Sequence, residues 1–179
     1  MIHTLHRLSA CLIGGFITIH LLNHLLALGG IDAHISFMAT FRKLYRIPLI
    51  EMLLLSCILL QIGSVLLLIK RRWGKRRDLY ARLQAISGGY LAFFLINHVI
   101  AVLFGRIWLN LDTNFYFAAA GMHIVPFQFF FFPYYYLAVL AIFTHVACAL
   151  HWLSRERLTL EKRNRFGFFI IALGALGKV

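Results

Sequence analysis

Along this chain apolar residues gather into four long runs, set apart by short polar stretches. The runs extend from about Leu8 to Leu28, Ile47 to Ile69, Leu83 to Phe104 and Phe132 to Leu153. Roughly 20 apolar residues rising 1.5 Å each are enough to cross a hydrocarbon core about 30 Å thick, so each run predicts a transmembrane helix. A fifth run, Phe166 to Val179, is too short to span comfortably and predicts a short, half-inserted or truncated last helix. The first run is longer than a signal-peptide core and lacks a small-x-small cleavage pattern followed by a polar mature region, so it reads as a permanent helix. The expected fold class is an all-α membrane protein: a five-helix transmembrane bundle forming one domain over residues 1–179.

Composition agrees, because 61% hydrophobic content in 179 residues is more apolar surface than one water-soluble core can hide. The net charge of +12 is not spread over a face as nucleic-acid binding would require; it is concentrated in certain connections. "KRRWGKRRDLYAR" carries seven Lys and Arg, "RERLTLEKRNR" five, and the N-terminus adds Arg7. The other side has five, Arg42, Lys43, Arg46, Arg106 and Lys178. Thirteen against five predicts a cytoplasmic N-terminus with the second and fourth connections on the same side. Cys11, Cys57 and Cys148 all fall inside apolar runs and read as buried small hydrophobes. The aromatic cluster "FQFFFFPYYY" fits an interfacial belt at the entry to the fourth helix. His3, His6, His123 and His151 read as interfacial.

Four histidines lie within the runs, His20, His24, His98 and His145, where ionisable side chains are costly and usually functional. "LLNHLLAL" in the first run is echoed by "LINHVIAV" in the third, and the fourth offers "FTHVACAL". Counting from the cytoplasmic charges, His98 is 16 residues past Arg82, while His24 and His20 are 17 and 13 past Arg7. These three share an outer layer. His145, ten residues before Arg155, shares an inner layer with Gln61, nine before Lys70. Two neutral imidazoles from opposing helices suit bis-histidine haem ligation in a bundle. Zinc fits poorly, since only His20, His24 and His98 could offer three ligands and no acid stands beside them as a base. Gly14, Gly15, Gly88 and Gly89 would let a flat macrocycle approach the backbone, or serve ordinary close helix packing.

In order, spacing and shared depth, "HRLSACLIGGFITIH", "FRKLYRIPLIEMLLLSCILLQIGSVLLL", "RLQAISGGYLAFFLINH" and "YYLAVLAIFTHVACALHWLSRERLTLEKRNRFGFFII" resemble the five-helix, dihaem cytochrome b membrane-anchor subunit of succinate dehydrogenases and fumarate reductases. The resemblance implies an outer haem held by the first and third helices and an inner one held by the second and fourth. It makes His98 one outer ligand. Ser9 precedes His20 by eleven residues as Ser87 precedes His98, which favours His20 as its partner; the Asn-His echo favours His24. The other of the two, about 40° round the helix, is left for the quinone region or a propionate. His145 matches the fourth-helix ligand, but Gln61 stands where the second helix should carry histidine, so one haem b is expected rather than two.

The resemblance further implies a menaquinone or ubiquinone substrate, and iron-sulfur and flavoprotein subunits docked on the cytoplasmic face of a bacterial cytoplasmic or organellar inner membrane. Asp32, His34 and Arg42 are candidates for the quinone region. Glu51 reads either as a proton-handling acid or as a helix-start charge. The chain has no flavin motif and no cysteine series with cluster spacing, so it would relay electrons without oxidising succinate itself. Two rivals remain: a non-enzymatic scaffold of the same fold that has lost one or both haems, and a cytochrome b of another redox complex.

Overall fold

A computed structural model describes residues 2–72, 74 and 78–177. Part of the basic second connection (73 and 75–77) and the end of the fifth run (178–179) lie outside the described residues. Among the described residues all regular structure is helical. The helices are α1 (Ile2–Leu26), α2 (Ile31–Tyr45), α3 (Pro48–Arg72), α4 (Leu79–Ile107), α5 (Phe115–His123), α6 (Gln128–Leu153) and α7 (Leu160–Leu176). Four of them, α1, α3, α4 and α6, are long and apolar enough to cross a membrane. The described residues are therefore all-α, with four membrane-length helices among seven α-helices.

Burial is inverted relative to a water-soluble protein. Large apolar side chains point outward, Leu28 at 84% exposure, Leu49 at 75% and Phe129 at 72%, whereas the buried set is rich in Ala, Ser, Thr, Cys, Asn and His. Lipid tails are as apolar as leucine, so helices in a membrane associate through small residues and polar ties and leave their leucines to the lipid.

The chain divides into two compact units, residues 2–64 with 99–121 and residues 65–98 with 122–177. In the first, α1 ends in a 3₁₀ turn, Ala27–Gly29, and Gly30 takes φ 119°. That left-handed value suits glycine alone, and it separates α1 from α2. The connection from Gly29 to Arg46 is thus mostly helix, and the one from Gly105 to Phe131 contains α5.

In the second unit α6 buries Tyr134, Ala138, Ala141, Thr144, Cys148 and His151, a stripe at helical spacing. Reciprocal bonds tie it to α4: Tyr90 Oη donates to Tyr134 O (2.9 Å) and Tyr134 Oη to Phe94 O (3.2 Å). α7 begins at Leu160, six residues before the run that announced it, because Thr159 caps it, its Oγ1 accepting from Lys162 N at 3.5 Å. Glu161 in the first turn suits the helix dipole. At 17 residues it is about 25 Å long, short of a full hydrocarbon core.

α7 packs on α6 through glycine. A Cβ on Gly174 would lie 2.5 Å from Phe143 Cβ, so Gly174→Ala is expected to overpack the contact and cost about 1–3 kcal/mol. Gly63→Ala, where a Cβ meets nothing within 4 Å, should be neutral or slightly stabilising. Unfolding by SDS in mixed micelles compares the two; equal midpoints would remove the packing argument.

Candidate functional site

In the first unit the α1 histidines stand one turn apart on one face. Their Nε2 atoms approach to 3.4 Å and the rings meet edge to face at 4.8 Å. Phe16 stacks on His20 at 5.9 Å. His24 lies 5.4 Å from the ring of His34 on α2, and Phe115 of α5 meets His34 edge-on at 5.3 Å. His34 is 3% exposed and Asn23 5%. Asn23 Nδ2 donates to His34 Nε2 at 3.1 Å, which puts the imidazole proton on Nδ1.

Sequence reasoning used the Asn-His echo but gave asparagine no role. The two copies differ: Asn23 is buried and fastens α1 to α2, while Asn97 is exposed and bonds back to Phe93 O of its own helix at 2.8 Å.

Gln61 is engaged with α1. Its Nε2 donates to His6 O (2.6 Å) and to Ser9 Oγ (2.8 Å), and one turn on Ser64 Oγ meets His6 Nδ1 at 2.7 Å. Ser9 Oγ in turn donates to Leu5 O at 2.8 Å. The position where a second-helix ligand was sought holds a polar clasp between α1 and α3.

The second unit carries His98 and His145. His98 is half-buried and stacks on Phe94 at 5.1 Å and 14°. His145 Nδ1 lies 3.2 Å from Ser87 Oγ, and a Cβ on Gly88 would come within 3.1 Å of His145 Cε1. Ser87 and Gly88 thus seat the His145 ring. Fixing an imidazole by Nδ1 makes Nε2 the atom through which it ligates a metal.

A b-type haem takes two neutral imidazoles; the first unit carries His20 and His24 on α1, and the second unit carries His98 on α4. Cβ atoms on Gly14 and Gly15 would meet nothing within 4 Å, so neither glycine is needed for helix packing. Gly88 and Gly89 serve packing instead, against His145 and Ile69. At Gln61 a haem does not fit, because the amide is committed to His6 and Ser9 and carboxamides ligate haem iron poorly. Among the described residues no group of three or more His, Cys, Asp or Glu is arranged to hold a bare metal ion.

The four residues suggested for quinone contact have different neighbours. Asp32 is exposed in the first turn of α2. His34 belongs to the Asn23 cluster. Arg42 bonds Asp112 at 2.6 Å and Thr113 O at 3.1 Å, with Arg46 on Thr113 Oγ1 at 3.2 Å. Glu51 pairs with Arg106 at 2.6 Å.

The bond from Arg42 holds the Asp112 carboxyl below the usual aspartate range. Burial works against the Arg42 charge, but hydrogen bonds to Asp112 and Tyr45 outweigh it and raise its pKa. Burial lowers the pKa of His34 from the ordinary 6.5. Both depressed groups stabilise the fold above their unfolded pKa and lose that contribution as pH falls through the folded value, so the order of loss is fixed. Below 6.5 the unfolded chain takes up a proton at His34 that the buried imidazole resists, so this contribution falls first, while the Asp112 tie persists until pH drops below the usual aspartate range. SDS-unfolding midpoints at pH 7 and pH 5 should therefore differ in the native chain and differ less in His34→Gln, with Asp112→Asn leaving that difference unchanged.

Compared with known proteins, the chain matches no protein-family model, no curated protein and no solved structure.

Proposed function

We propose that this chain is the haem b-binding membrane anchor of a succinate:quinone oxidoreductase-like complex, passing electrons between a peripheral iron-sulfur subunit and membrane quinone. The observation that carries the reading is the set of histidines on three membrane-length apolar helices, His20 and His24 on α1, His98 on α4 and His145 on α6. Neutral imidazoles at such depth are costly unless they have a task.

His98, with His20 or His24, would hold one haem b, which supplies one-electron transfer when bound. Phe94 restricts the His98 ring from one face and Phe16 the His20 ring. The Gln61 clasp argues for a single haem. In this proposal the N-terminus and the basic connections face the cytoplasm, where flavoprotein and iron-sulfur subunits would dock, and α7 is a short fifth span. Menaquinone or ubiquinone would be met near the opposite surface, and the membrane is bacterial cytoplasmic or organellar inner. The test is a reduced-minus-oxidised spectrum of the protein purified in mild detergent: a b-type band supports the proposal, and no band in correctly folded protein sinks it.

A second reading, a haem-free scaffold of the same fold, is favoured by one observation. Gln61 joins α1 to α3 through direct hydrogen bonds, so that contact needs no cofactor to hold it.

A further inference from the structure

In the second unit, the turn between α6 and α7 encloses a cleft of about 240 Å³, room for about eight waters at their liquid volume. Its walls are of two kinds. Leu150, Leu153 and Phe166 form an apolar side, while Arg157, Arg163 and Ser154 supply cations and a hydroxyl. Among the described residues no carboxylate lines it; nearby Glu156 pairs with Arg155 at 3.6 Å, and Asp78, just before α4, interacts with His151.

Two of the residues that line the cleft carry buried polar atoms without a hydrogen-bond partner, His151 Nδ1 and Arg163 Nε. His151 lines the cleft and is 5% exposed. Buried polar atoms are seldom left unpaired, and those that are point to a missing ligand or water. Arg163 is held in place by donating from Nη1 to His151 O at 3.2 Å.

The depth of the cleft narrows its occupant. The membrane-length helix α6 ends at Leu153, so a hydrocarbon boundary at that end would leave Arg157 beyond it and Leu150 within it. A ligand with an anionic head at the interface and an acyl chain alongside meets both halves at once. We propose that the α6–α7 turn binds the phosphate headgroup of an anionic phospholipid, with Arg157 and Arg163 on the phosphate and Leu150, Leu153 and Phe166 along the acyl chain.

The lipid is preferred over soluble phosphate because three of the named walls are apolar and contribute nothing to a free anion. Near a membrane surface each arginine strengthens binding about fivefold. The full chain, delipidated in mild detergent, is titrated with phosphatidylglycerol, phosphatidylcholine or inorganic phosphate, and bound adducts are counted by native mass spectrometry. Phosphatidylglycerol is expected to bind about 25-fold tighter than phosphatidylcholine, about fivefold for each arginine, and millimolar phosphate is expected not to displace it. Arg157→Gln/Arg163→Gln should abolish the preference. Arg157→Gln alone, which keeps the Arg163 to His151 bond, should weaken it by about threefold or more, and Arg155→Gln should leave it intact. Equal binding of the two lipids, a preference that survives the double variant, or displacement by phosphate would each overturn the assignment.

Discussion

Replacing His98 with alanine is expected to remove the b-type absorbance band from the detergent-purified protein altogether. A haem iron held by two imidazoles loses its low-spin spectrum when one is deleted, and α4 offers no second histidine to take over. Two comparisons keep the result from being a general consequence of damage. His145→Ala, which removes the ring seated by Ser87 and Gly88, should keep the band, because Gln61, where a second-helix ligand was sought, is an amide committed to His6 and Ser9. His20→Ala and His24→Ala should part company, the true ligand losing the band and its neighbour retaining it with a shifted potential. A band that survives in His98→Ala and vanishes in His145→Ala would reverse the assignment of layers.

The four long helices were legible because length and hydropathy alone determine whether a segment can cross a membrane, and α1, α3, α4 and α6 cover the four predicted runs to within about two residues at either end. The short helices were not. α2 mixes Asp32, His34, Arg42 and Lys43 with Ile31, Phe37 and Phe41, and such a segment at a membrane boundary is neither apolar enough to read as a span nor polar enough to read as a loop. α5, nine residues long, is too short for periodicity to declare itself.

At the candidate site the chemistry-bearing residues could be named from sequence, since histidine in an apolar run is conspicuous. Their neighbours could not. That Asn23 reaches α2, that Gln61 clasps α1 and that Ser87 seats His145 depends on how helices face one another, which runs of near-uniform hydrophobicity leave undetermined. Ser87 shows the difference well: its spacing made it a marker for His98, eleven residues on, yet its hydroxyl serves a different histidine.

Glu51 offers the second large effect: sequence left it either a proton-handling acid or a helix-start charge, and the structure adds a pairing with Arg106. Its carboxylate meets Arg106 at 2.6 Å with only about a quarter of either side chain exposed, 26% and 24%, at the ends of two membrane-length helices. Deleting one member of a buried pair strands the other charge and costs about 3–5 kcal/mol, and partial solvent access brings this toward the lower figure. Glu51→Gln is therefore expected to destabilise by about 3 kcal/mol, leaving the Arg106 guanidinium against apolar α4. Arg106→Gln should cost a similar amount, reduced slightly because Glu51 retains its favourable place in the first turn of α3. The double variant Glu51→Gln/Arg106→Gln removes both charges together and should recover most of the loss, as measured by SDS unfolding of all four proteins. A proton-handling acid behaves otherwise: its replacement by glutamine would depress quinone-linked turnover while sparing stability, and a second substitution at Arg106 would restore nothing. Additivity of the two single losses would thus exclude the structural pair. A recovery of about 2 kcal/mol or more would mean that Glu51 stands at the start of α3 chiefly to keep an arginine inside the membrane boundary.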